Sequence, residues 1–197
     1  MLTAPVHPTP WEVPRQNGPR HAGEEVLVRR ATADDLVELA ALKRRVERLC
    51  YGHLGTPEAL SVRLHRRCTA WYLLGRLAAG ELVLVAEHDG ALLGLAAARV
   101  DRVDGQPRLH LHSTCVERAG QGVGRSLTLA RLEAADRLGL RIVTADCLVG
   151  AEPAARRLRG LGLVEVGERS SSPTFPGVGL SHWAGSVQTA LERVTPR

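Results

Sequence analysis

Val116-Glu117-Arg118-Ala119-Gly120-Gln121-Gly122-Val123-Gly124-Arg125 joins an alternating apolar run, Leu109 to Val116, to an amphipathic one, Val123 to Leu138. The order reads strand, glycine loop, helix. Glycines at alternate positions let the backbone approach a ligand closely with its N–H groups turned outward. The helix that opens there adds the positive end of its dipole. Such a loop suits a phosphate or a pyrophosphate. It is not a Walker loop, because no Gly-Lys-Ser/Thr follows, and Gly120-x-Gly122-x-Gly124 lacks the G-x-G-x-x-G spacing of the dinucleotide fingerprint. These ten residues alone also fit a glycine-rich turn without a ligand.

Upstream of the loop, three strands run antiparallel. Leu82 to His88 is followed by Asp89-Gly90, a hairpin signal, and Ala91 to Val103 returns, with Gly94 a candidate bulge. Asp104-Gly105 turns the chain again into a strand from Pro107 to Val116. Before them, Val26 to Arg30 reads as a short strand. Thr32-Ala33-Asp34-Asp35 then opens a helix carrying Leu36, Leu39, Leu42, Val46 and Leu49 at helical spacing. A second helix starts at Thr56-Pro57 and is expected to run to about Leu77. Downstream, Val123, Leu127, Ala130, Ala134 and Leu138 form one stripe that stops at Gly139. A strand from Leu140 to Cys147, a helix from Ala151 to Leu161, a strand from Leu163 to Glu168, a loop from Ser170 to Gly179 and a last strand from Ser181 to Leu191 complete the chain.

The 197 residues suit one domain with a core. Prolines at 5, 8, 10, 14 and 19 exclude a helix or an inner strand there, so residues 1–24 read as a disordered or loosely docked arm that Trp11 tacks down, and residues 25–197 as a single domain. No run spans a membrane and the N-terminus has no apolar signal core; a cytoplasmic location is expected. Cys50, Cys68, Cys115 and Cys147 are scattered without a C-x-x-C pair, which excludes a zinc ribbon and argues for reduced thiols. The net charge of +5 is carried almost wholly by arginine, which favours planar anions. Aromatics at 3% argue against single-stranded nucleic acid as a partner.

The element order and two motifs resemble the GNAT acetyltransferase superfamily. Gly120-Gln121-Gly122-Val123-Gly124 matches the family's glycine loop in phase, and Ala151-Glu152-Pro153-Ala154 with Gly162-Leu163 echoes its downstream N-E-P-A…G-F signature. The resemblance covers about residues 25–191. It implies an α/β (α+β) fold: a mixed, mostly antiparallel sheet flanked by about four helices, with a splayed cleft between strands 4 and 5. It implies acyl transfer from acetyl-CoA or another acyl-CoA to an amine. Gly120, Gln121, Gly122, Val123 and Gly124 would hold the pyrophosphate, with Arg125 adding charge. The family's valine on the preceding strand falls on Thr114, or on Val116 in a register two residues away. There are departures. The loop's Gln/Arg position is Ala119, with Arg118 one residue early. The family's Asn is Ala151, and the Tyr that protonates the leaving thiolate falls on Leu158.

Amine acylation needs a proton acceptor. His110 and His112, at i and i+2, share one sheet face on the strand before the loop and are the catalytic candidates. Glu87 and Asp146 are weaker bases. No third ligand is set at a spacing that would make the histidines a metal site, so no metal is expected. Cys115 and Cys147 offer a covalent route, though direct transfer is the family's usual one. The loop from Ser170 could be a lid; His182, Trp183, Trp71 and Tyr72 could line an acceptor pocket. The acceptor is a small-molecule amine or a peptide. Alternative readings take the acyl group from an acidic acyl carrier protein, or make the chain a non-catalytic binding or regulatory module. A homodimer is compatible with the fold.

Overall fold

The structure, a computed structural model, describes Trp11, Gln16, Asn17 and residues 26–195. Most of the expected arm, residues 1–24, and its boundary with the domain lie outside the described residues. Trp11 is buried, and its Nε1 donates to the Gly80 carbonyl at 3.1 Å.

Among the described residues, seven strands follow: β1 (Leu27–Arg30), β2 (Leu82–His88), β3 (Ala91–Val103), β4 (Gln106–Val116), β5 (Ile142–Leu148), β6 (Val164–Ser171) and β7 (Gly179–Ser186). With the two-residue segment Gln16–Asn17 against β1, they make one eight-stranded sheet ordered Gln16–Asn17, β1, β2, β3, β4, β5, β7, β6. Every pair is antiparallel except β4 with β5. The two hairpins turn where the sequence places them. Asp89 and Gly90 have φ of 48° and 77°, and Asp104 and Gly105 have 51° and 76°, the paired positive angles of the turn whose twist matches the strands. The β2–β3 register shifts beside Gly94.

Six helices among the described residues flank the sheet: α1 (Leu36–Tyr51), α2 (Pro57–Arg67), α3 (Ala70–Ala78), α4 (Val123–Arg137), α5 (Glu152–Gly160) and α6 (Val187–Val194). The sequence reading expects about four, and two local competitions account for the rest. The helix expected through Leu77 breaks at Cys68, because Thr69 caps a new one by accepting from the Tyr72 N–H at 3.1 Å. The strand expected to Leu191 ends at Ser186, which caps α6. Val187, Ala190 and Val194 then bury one helical face.

α1 and α3 pack on one face of the sheet, against Val83, Val85, Leu95, Ala97 and Cys115. α4, α5 and α6 pack on the other, around Leu109, Leu111, Val143, Ala145 and Trp183. Leu49, expected on the buried stripe of α1, is 80% exposed; Lys43 and Glu47 are buried instead, at 0% and 2%. They form an ion pair, and Glu47 also takes Arg63 of α2 at 2.7 Å.

Candidate active site

β4 and β5 pair only at Leu109↔Val143, His110↔Thr144 and Leu111↔Ala145. Beyond Leu111 the two strands part, so a cleft opens between residues 112–116 and 146–148. A bulge in β4 shapes its wall. His112 and Thr114 oppose the consecutive residues Ala97 and Ala96, which leaves Ser113 as the extra residue with φ of 50°. Lys43 Nζ donates to Ser113 Oγ at 3.2 Å, which ties the bulge to α1.

The cleft leads to the glycine loop. Gly120 and Gly122 have φ of 86° and 76°, and Gly122 is the N-cap of α4. No L-residue takes these angles without strain. The first intrahelical bonds come from Arg125 and Ser126 to the Gly122 carbonyl, so the amides of Gly122, Val123 and Gly124 precede the helical ladder. Gln121 is exposed, while Val123 is buried and packs close to Gly94.

The remaining loop candidates divide. Thr114 turns its hydroxyl toward α4, where it accepts from Arg131 Nη2 at 3.0 Å; Val116 is half-buried beside Gly94. Arg125 Nε donates to the Val194 carbonyl at 2.6 Å, at the end of α6, so its guanidinium is held along the α4–α6 face. A further cation reaches the loop, one that the sequence reading missed. Arg157 of α5 donates through Nη2 to the Gly124 carbonyl and to Thr128 Oγ1. Burial pushes it down to about 10. Arg131, fully buried, donates to the Ala97 carbonyl at 3.0 Å, and burial together with Arg157 pushes it down to about 9. Neither guanidinium has a carboxylate partner among the described residues.

His110 and His112 do share a face, with ring centroids 6.2 Å apart, but their partners differ. His112 Nε2 lies 2.9 Å from Glu81 Oε2, and Glu81 also pairs with Arg76. Burial pushes His112 down to about 4 against the pull of Glu81. His110 Nδ1 lies 3.1 Å from Thr144 Oγ1, and its Nε2 lies 3.7 Å from Asp146 Oδ2. Burial, then Arg99, lowers His110, and Asp146 and Asp101 oppose them. Cys115 and Cys147 lie on opposite faces of the sheet, one in the α1 core and one in the α4 core. Burial raises both thiols, Cys147 to about 11, so neither is a ready thiolate. Leu158 is buried, and Ala151 carries no polar group toward the cleft. Among the described residues no group of three or more His, Cys, Asp or Glu is arranged to hold a metal, and no helix is long and apolar enough to cross a membrane.

The loop after β6 is pinned by Phe175, which is fully buried, and Arg63 Nη1 donates to Thr174 Oγ1 at 3.1 Å. Of the aromatic acceptor-pocket candidates, Trp183 is buried on the α4 face and Trp71 is exposed on α3. Tyr72 sits between Arg67 and Arg76.

No curated protein matches the chain. Solved structures do. A PaiA N-acetyltransferase from Thermoplasma acidophilum, in complex with coenzyme A, superposes with a TM-score of 0.68 at 14% identity over 82% of this chain and 98% of that one. A ribosomal-protein-alanine N-acetyltransferase from Brucella melitensis gives 0.61 at 25% identity, over 81% and 99%. The yncA protein of Salmonella typhimurium, with its cofactor acetyl-CoA, gives 0.60 at 20%, over 82% and 94%. The family model of the acetyltransferase (GNAT) family matches residues 41–163, which include the β4 bulge, the cleft, the glycine loop and α5. The chain belongs to that family, and is an acyltransferase.

Proposed function

We propose that this protein moves an acyl group, most simply acetyl, from acyl-CoA directly onto the amine of a small molecule or peptide. The observation that carries the reading is the cleft between β4 and β5 ending at two positive-φ glycines on the N-terminus of α4. Gly120, Gln121, Gly122, Val123 and Gly124 hold the diphosphate through backbone amides. The donor's arm lies along the unpaired edge of β4, from Val116 past Thr114 toward His112. Arg157, buried against Gly124 with no carboxylate partner among the described residues, fits a polyanionic donor and favours CoA over a carrier protein. The acyl-CoA supplies an activated thioester carbonyl.

The residues beside the mouth of the cleft do the rest. Asp146 stands where β4 and β5 part, on the part of the sheet that α1 and α3 leave uncovered, and His110, whose charged form burial disfavours, lies beside it. Asp146 and the histidines that it orients serve the proton transfer that a direct attack requires. His112 is committed to Glu81 and supports the strand. With the thiols held protonated by burial, direct transfer is favoured over an acyl-cysteine route.

Calorimetric titration with acetyl-CoA, with free pantetheine as control, tests the donor site. Binding of acetyl-CoA and much weaker binding of pantetheine are expected. Gly122→Glu, which puts bulk and negative charge at the diphosphate, should abolish the binding. Unchanged affinity in that variant would overturn the loop assignment.

A further inference from the structure

The sheet register sets a row of polar side chains on one face. Arg99 of β3 pairs with His110 of β4, and His110 pairs with Thr144 of β5. Two residues along β5, Asp146 pairs with His182 of β7, and His182 with Val166 of β6. Side chains two apart on a strand share a face, so Arg99, His110, Thr144, Asp146, His182 and Val166 all face the same side. α1 and α3 cover that side only as far as β4. Asp146 is the first β5 residue beyond the last β4–β5 pair, Leu111↔Ala145, and therefore stands at the point where the cleft opens.

Asp146 holds two histidines. Its Oδ1 lies 2.8 Å from His182 Nδ1 and its Oδ2 lies 3.7 Å from His110 Nε2. The contact to Asp146 places the His182 proton on Nδ1 and leaves Nε2 as the acceptor. Nε2 takes the hydroxyl of Ser170 at 3.1 Å. The His182 side chain is 38% exposed, whereas that of His110 is 9% exposed. A base must meet the proton it takes. His110 is walled in, and His182 is not.

We propose that His182, oriented by Asp146, is the general base that deprotonates the acceptor amine; the proposal rests on the reading of the chain as an amine acyltransferase. The Ser170 hydroxyl occupies the place on Nε2 that a substrate N–H takes. The ammonium of the acceptor gives one proton to Nε2. The neutral amine then attacks the thioester carbonyl, the C–N bond forms, the C–S bond breaks, and the second nitrogen proton leaves with the sulfur as the free thiol. His110 is a positioning residue that acts through Asp146. Asp146 on β5 is the charged group in contact with His182; His110 on β4 lies beyond Asp146, and Arg99 and Asp101 on β3 face His110 from the far side of the row. β6 presents Ser170 and Val166.

The test compares two acceptor probes with acetyl-CoA as donor: phenethylamine, protonated at neutral pH, and hydroxylamine, neutral there. His182→Gln should lower transfer to phenethylamine by roughly 10²-fold or more, the usual size of a lost base. It should leave transfer to hydroxylamine within about threefold and donor binding unchanged. The acidic limb of the kcat/KM profile for phenethylamine should move up to the ionisation of the amine itself, because only the neutral amine then reacts. Asp146→Asn should reproduce the loss in weaker form. Equal transfer rates for His182→Gln and wild type, or an equal loss with both amines, would overturn the assignment of His182. If wild type binds acetyl-CoA but acylates neither amine, the amine-acceptor reading itself falls, and this base with it.

Discussion

Replacing Arg157 with Gln should make the ligand-free protein slightly more stable and donor binding much weaker. Burial takes Arg157 from its ordinary 12.5 to about 10. Keeping it charged in the fold at neutral pH then costs about 3 kcal/mol. The variant also gives up hydrogen bonds to the Gly124 carbonyl and Thr128 Oγ1, worth about 1 kcal/mol each. The balance leaves Arg157→Gln about 1 kcal/mol more stable. A cation whose folded value is depressed carries its penalty at every pH below about 10 and sheds it as pH rises through that value. The advantage of the variant should therefore shrink in strong alkali. The donor side moves the other way. A charge-assisted hydrogen bond from a guanidinium to a phosphate is worth about 1.5–3 kcal/mol, so its removal should weaken donor affinity by roughly 10- to 150-fold. Urea unfolding without ligand and calorimetric titration with acetyl-CoA measure the two halves separately. A less stable variant with unchanged donor affinity would refute the reasoning and make Arg157 a strut between α5 and α4.

Glu47→Leu leaves Lys43 and Arg63 buried together without their carboxylate and should cost about 3–5 kcal/mol in urea unfolding; adding Lys43→Met should recover part of it, and no recovery would show that the pair is not coupled. His112 sits at about 4 in the fold against an ordinary 6.5, so the unfolded chain takes up a proton in that window that the folded chain refuses. Stability should fall as pH drops from 6.5 toward 4, and His112→Gln should flatten the slope; equal slopes would mean that Glu81 keeps His112 charged in the fold.

Much of the fold was legible because local chemistry and global fold agree. Asp89-Gly90 and Asp104-Gly105 demand the hairpin turns that they form, and the glycines at 120 and 122 take the angles that only they tolerate. The failures lie where a local cap competes with a longer pattern. Thr69 and Ser186 each interrupt a run that periodicity alone would continue. Burial of charge was invisible. Lys43 and Glu47 lie outside the apolar stripe read for α1, and only the arrival of Arg63 from α2 and Ser113 from the β4 bulge makes their burial tolerable. For the candidate site, i, i+2 spacing correctly put His110 and His112 on one face. It could not show that their nearest acids differ, because Glu81 and Asp146 come from segments far away in the chain.

The departures from the family's pattern take on a physical meaning once α5 is in place. The loop has Ala119 where the family carries Gln or Arg, and α5 has Leu158 where it carries Tyr. Successive helical residues point about 100° apart. Leu158 turns into the apolar core, and the residue before it, Arg157, turns toward α4 and reaches Gly124. One step along the helix thus exchanges a proton donor for a cation and delivers that cation to Gly124, at the end of the loop. The exchange leaves no side chain on α5 to protonate the leaving sulfur. The proton released as the C–N bond forms can serve instead, provided that a separate group has already removed the first proton from the ammonium. That requirement places the demand for a base on the uncovered face of β5 and β7, where His182 meets Asp146.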